Sequence, residues 1–142
     1  MQRVKLLAAV FMVAVFFFSA GSQTVLADDV NWDAFSVNLV KALKSENDGL
    51  RRSAMSKVIK YGEKLNVDEA VFDVMKVFRS NNNVKDRQLA LVTLHKMQNS
   101  WAMDFLKRHL SLEKDDELKH QIQYVVYEYY GTDGSKMARD TK

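Results

Sequence analysis

The three histidines, His95, His109 and His120, are the side chains best suited to proton transfer or metal binding near neutral pH. None stands four residues from another, so no helix presents the two-histidine face of an HExxH site, and none is followed by glutamate. The chain has no cysteine, which excludes disulfides, thiolate nucleophiles and the sulfur ligands of structural zinc. It has no glycine-rich loop to cradle a phosphate. No serine is marked as a nucleophile by a base at motif spacing. These residues predict no catalytic site, no bound metal and no cofactor, and hence a protein that is not an enzyme.

A more regular signal is a base that recurs. Arg51 lies in DGLRRSAMSKVIKYG, Arg87 opens RQLALVTLHKM, and Lys119 lies in LKHQIQYVVYEYYG. Each stands just ahead of an apolar helical run. Three aligned bases could form a ladder for anions. The alternative, preferred here, is that each stem covers apolar surface at a helix junction while its head pairs with an acid such as Asp48 or Asp115.

The elements that carry these residues begin after a targeting segment. Arg3 and Lys5 form a basic start, Leu6 to Ala20 is apolar, and TVLA ends at Ala27. That is the secretory pattern, and the apolar run of about 15 residues is short for a bilayer span of roughly 20. Residues 1–27 are therefore expected to be a cleaved signal peptide, with an uncleaved N-terminal anchor as the alternative. The chain has 21 Lys and Arg against 18 Asp and Glu. Removing Arg3 and Lys5 leaves 19 against 18, a net +1. That balance gives no reason to expect a nucleic-acid partner.

The whole sequence has no proline and five glycines, only four of them after residue 27, so the mature chain is expected to be helical throughout. The apolar spacing predicts six helices. The first runs from Trp32 to about Ser45, with Trp32, Phe35, Leu39, Val40 and Leu43 inward. The second covers Asp48 to Tyr61 with Leu50, Ala54, Val58 and Tyr61 inward, closed by Gly62 in a left-handed conformation. The third follows an N-cap at Asp68 and turns Val71, Phe72, Met75 and Phe78 inward. The fourth, Lys85 to Met97, buries Leu89, Ala90, Leu94 and Met97. The fifth, capped by Ser100, buries Trp101, Phe105, Leu106 and Leu110. The sixth, Leu118 to Tyr130, buries Ile122, Val125, Val126 and Tyr129. Residues 132–142 are expected to form a disordered tail.

The even-numbered helices align. An offset of 36 carries Arg51 onto Arg87, Ala54 onto Ala90 and Val58 onto Leu94, and an offset of 68 carries them onto Lys119, Ile122 and Val126. The unit is a helical hairpin of 32 to 36 residues. NDGLRRSAMSKV and NNVKDRQLALVTL resemble the second helix of HEAT and HEAT-like (phycobilisome-lyase-type) repeats: an acid or Asn, an aliphatic, Arg, then Ala and Leu at helical spacing. DDELKHQIQYVV has Lys for Arg and Ile for Ala, and Asp86 stands where the second unit should have an aliphatic. The resemblance spans Trp32 to Tyr130. It implies an all-α fold, a right-handed α-solenoid of about three HEAT-like antiparallel helix pairs over residues 28–131. It also implies a bacterial source, and with the export expected from the signal segment the protein is expected to be periplasmic or secreted.

In such a stack the second helices line the concave side. Their faces opposite the core hold Arg52, Ser56 and Ile59, then Gln88, Val92 and His95, then His120, Tyr124 and Tyr127. Ile59, Val92, Tyr124 and Tyr127 would form an apolar, aromatic stripe with Arg52, Gln88, His95 and His120 around it, and such patches mark binding surfaces. The expected function is an exported, non-enzymatic module that binds a protein or peptide there. The alternative is a small-molecule or enzyme-accessory protein with a pocket lined by Trp32, Trp101, Tyr129 and Tyr130. Membrane contact is expected only if the signal is retained.

Overall fold

The computed structural model describes residues 30–131. The expected signal segment, 1–27, and the expected tail, 132–142, lie outside the described residues. Within them the chain is helical, with no strand. The helices are α1 (Trp32–Leu43), α2 (Asp48–Tyr61), α3 (Val71–Ser80), α4 (Val84–Met97), α5 (Ser100–His109) and α6 (Asp116–Gly131). Two short 3-10 turns, Gly62–Lys64 and Asp68–Ala70, connect α2 to α3. No described helix is long and apolar enough to cross a membrane.

Asparagine side chains start four of these helices. Asn31, Asn47 and Asn99 each accept the N–H three residues on, and Asn83 accepts the Lys85 N–H. Asp115 does the same for α6, accepting from the Leu118 N–H at 2.8 Å. Each bond satisfies one of the orphan donors of a helical first turn. Ser100 is the first residue of α5 rather than its cap, because the longer Asn99 side chain already reaches the Ala102 N–H. Asp68 caps nothing: it begins the 3-10 turn, and α3 starts at Val71 with no side-chain cap.

Helix α1 packs on α2, α3 on α4 and α5 on α6, while α2 and α6 flank α4. The core lies between these pairs. Val58, Phe78, Ala90, Leu94, Ala102, Met103, Leu106, Leu118 and Ile122 are fully buried. Alanines at Ala54, Ala70, Ala90 and Ala102 sit where helices meet. Small side chains let neighbouring elements pack closely, and the faces that carry Ala54, Ala90 and Ala102 are buried. Val71, Val74 and Phe78 define the buried face of α3, which leaves Phe72 64% exposed. Ala102, Met103 and Leu106 do the same in α5, and Trp101 is 67% exposed. Leu50, in the first turn of α2, is also exposed. These three residues were expected inside; aromatic and aliphatic bulk alone misassigns them.

The end of α2 also departs from expectation. Gly62 has φ −45° and ψ −40° and continues into the 3-10 turn. The left-handed residue is instead Gln98, which closes α4 at φ 51° and ψ 29°.

Candidate functional site

The recurring bases serve the turns before the even-numbered helices. Those turns repeat in register. Ser45 Oγ accepts the Asn47 N–H at 3.1 Å, Asn81 Oδ1 accepts the Asn83 N–H at 2.8 Å, and Glu113 Oε1 accepts the Asp115 N–H at 3.0 Å. Four residues after the first two caps stand Arg51 and Arg87. Arg51 Nη1 donates to the Ser45 carbonyl at 2.7 Å and pairs with Asp48. Arg87 Nε donates to the Phe78 carbonyl at 2.8 Å, and its terminal nitrogens grip Glu113. Both guanidinium groups thus tie a helix start to the end of the helix before it. Their donors are committed inside the fold rather than offered to an outside anion. Lys119, at the third equivalent position, is partly buried.

Around Arg87 lies the densest polar cluster. Glu113 is only 3% exposed in its side chain. Burial pushes its carboxyl up, but the Asp115 N–H, the Arg87 guanidinium and the Lys114 N–H outweigh this and hold it below the usual value. The His109 ring lies 5.1 Å from the Phe78 ring and 5.5 Å from that of Phe105. Its Nε2 is 3.5 Å from Glu113. Burial pushes the imidazole below its ordinary value, against the raising pull of Glu113. This cluster ties α3, α4 and α5 to the turn before α6, and every member is spent on another. Among the described residues no three His, Asp or Glu side chains are grouped to hold a metal ion.

The other candidate residues lie on the α2–α4–α6 face, and they divide into two sets. Arg52 Nε donates to Asp86 Oδ1 at 2.9 Å, tying α2 to α4. Asp86 is buried and also accepts from Asn81, which accounts for an acid where the repeat pattern has an aliphatic. Gln88 reaches Glu117 at 3.5 Å, and His95 reaches Glu128 at 3.2 Å, both joining α4 to α6. Ile59 is half-buried. These four are engaged within the molecule. The second set is open: Val92 is 41%, Tyr124 65% and Tyr127 72% exposed, and His120 is exposed with its ring against Gln123.

Val92 and Tyr124 wall an open groove of about 660 Å³ between α4 and α6. Leu91 and Val125 form its floor, and His95 and His120 lie on its rim. A second hollow of about 510 Å³, holding Ile59, Lys60 and Lys64, meets the first at His95. The face therefore gathers Val92, His95, His120 and Tyr124 in one place and Ile59 in the next. Sequence reading missed the acidic end of the first groove, Asp116 and Glu117. The signal was present, since both acids occupy the first turn of α6 on the side that Gln121 and Tyr124 continue.

The aromatic pocket expected as the alternative is not assembled. Trp32 packs with Phe35 and Tyr61, at ring separations of 6.0 and 5.5 Å. Tyr129 and Tyr130 pack edge to face, 5.0 Å apart. Trp101 faces solvent on α5. No family model matches this chain, and neither a curated protein nor a solved structure matches it.

Proposed function

We propose that this chain is an exported, non-enzymatic interaction module of HEAT-like architecture, in which the pairs α1–α2, α3–α4 and α5–α6 stack as a short solenoid. It holds a protein or peptide on the face formed by α2, α4 and α6. The observation that carries this reading is the exposure of Val92, Tyr124 and Tyr127 on one face, with an apolar-floored groove beside them. Water-facing tyrosine and valine side chains beside an apolar groove are what a docking surface offers. The recurring turns at Asn47, Asn83 and Asp115 support the stacked-hairpin architecture. A small molecule held between helices has less support, because the groove is open and Trp101 lies outside it.

The test places a photo-crosslinking residue at Val92 and recovers adducts from the native host. A Tyr124→Ala, Tyr127→Ala double variant, shown helical by circular dichroism, serves as the comparison. One protein enriched by the parent and lost by the variant supports the reading. Equal capture by both forms overturns it.

A further inference from the structure

We infer that the occupant of the α4–α6 groove is a peptide segment carrying an aliphatic side chain next to a lysine or arginine. This rests on the peptide-binding reading above and adds the chemistry of the partner. The floor of Leu91 and Val125 and the wall of Val92 are aliphatic, so the centre of the groove takes an apolar side chain. One end is acidic. Asp116 and Glu117 are both exposed there, and the groove lining includes no lysine or arginine to answer them. Glu117 accepts from the side-chain amides of Gln88 at 3.5 Å and Gln121 at 3.2 Å. Those neutral contacts steer the carboxylate without cancelling its charge.

A second feature selects the same sign. Tyr124 and Tyr127 stand three residues apart on one helical face, and both rings are open to solvent. The face of a tyrosine ring attracts a cation and repels an anion. An acidic segment in the groove would meet two carboxylates and the Tyr124 ring, with Tyr127 just outside the lining. A basic one would meet complementary charge and desolvate neither carboxylate unpaired. The positive end of the α6 dipole offsets part of the acidic charge, which makes this a rim effect on affinity and partner choice rather than the main source of binding.

The experiment measures fluorescence anisotropy of two labelled helical peptides, one of leucine and lysine and one of leucine and glutamate. They are titrated with the mature full chain, its Tyr124→Ala variant and its Asp116→Lys, Glu117→Lys variant. The leucine–lysine peptide is expected to bind the parent and to weaken with salt. Its affinity should fall about tenfold on reversing the two rim charges, a shift of size expected for exposed pairs. The reversed variant should gain the leucine–glutamate peptide, an outcome that mere loss of structure would not produce. Equal binding of both peptides to the parent, with loss in Tyr124→Ala, leaves the groove standing and overturns the basic partner. Lysine-peptide binding that ignores every variant overturns the site. Binding that emerges only when residues 132–142 are removed makes that segment, with Lys136, Met137 and Arg139, the occupant and overturns an outside partner. A Tyr124-dependent dimer in sedimentation assigns the groove to a second copy and overturns it likewise. Binding of neither peptide to any form overturns both the partner chemistry and the peptide-binding reading.

Discussion

Arg87 grips Glu113 with both terminal guanidinium nitrogens, joining the first turn of α4 to the turn that leads into α6. The two residues are 26 positions apart in the chain. Glu113 spends its remaining capacity on the Lys114 and Asp115 N–H groups, each at 3.0 Å, and Arg87 spends its Nε on the Phe78 carbonyl. Glu113 is therefore buried and Arg87 mostly so, and their bonds join the α3–α4 pair to the α5–α6 pair. Removing one partner leaves the other charge inside without compensation. Arg87→Ala is expected to destabilise the fold by about 3 kcal/mol, the low end for breaking a buried pair. A double variant, Arg87→Met with Glu113→Gln, should cost less than the two single changes together. Urea midpoints for the four forms test this; simple additivity would mean the pair is not coupled.

Acid should weaken the fold in two steps, both from groups held below their ordinary values. Desolvation holds the His109 imidazole below its ordinary value in the folded chain, against the raising pull of Glu113. Below its ordinary 6.5 the unfolded chain takes up a proton that the folded chain refuses, so stability falls as pH drops from there. Glu113 contributes in the same direction, starting below 4.5, where the unfolded carboxyl protonates before the folded one. Stability should be full above both values. Urea midpoints measured across pH should show the earlier decline in the parent and lose it in His109→Phe, while the later decline persists. A His109→Phe profile parallel to the parent through the upper window would remove His109 as its source.

The inward face of α3 can be checked by two phenylalanines six residues apart. Phe78 is fully buried, in edge contact with Phe105 at 5.9 Å, and lies under the Arg87 guanidinium at 5.4 Å. Phe78→Ala opens a cavity and should cost about 3–5 kcal/mol. Phe72→Ala, at an exposed position, should stay within about 0.5 kcal/mol. Comparable losses at both would mean that α3 is rotated from the position described.

The sequence makes the number and order of helices legible because apolar spacing and the absence of proline leave few alternatives. The turns before α2, α4 and α6 were also within reach, since Asn47, Asn83 and Asp115 share the register of Arg51, Arg87 and Lys119. What local pattern cannot supply is which face of a short helix wins when two are apolar. Phe72 carries more bulk than Val71 or Val74, and Trp101 more than Ala102, yet the smaller residues are the buried ones. The Arg87–Glu113 pair was invisible for another reason: nothing local to either residue signals a partner so distant in the chain. On the candidate face, spacing found the open residues Val92, Tyr124 and Tyr127. It could not tell them from Arg52, Gln88 and His95, which alignment placed beside them and the fold uses as ties between helices.

Gln98 closes α4 in the left-handed region, where a Cβ crowds the backbone. Glycine avoids that crowding but gives up more freedom on folding. The difference should leave Gln98→Gly more stable than the parent by about 0.5 kcal/mol. Thermal unfolding would register this as a rise of a few degrees at most. A fall would mean that the bond from the Gln98 side-chain amide to the His95 carbonyl contributes more than the backbone relief.

The division of the α2–α4–α6 face into ties and open residues makes opposite demands on stability. Arg52 is half-exposed, but Asp86 beneath it is 10% exposed in its side chain and depends on that guanidinium. Arg52→Ala should cost about 1 kcal/mol, the upper range for a partly exposed pair. Tyr124→Ala and Tyr127→Ala remove rings that face water and should each stay within about 0.5 kcal/mol. The same urea titration reads all three. Tyrosine variants that lose as much as Arg52→Ala would place those rings among the packing residues, and their effect on partner capture would then report folding rather than contact. Tyrosine variants as stable as the parent make any loss of capture a property of the surface itself.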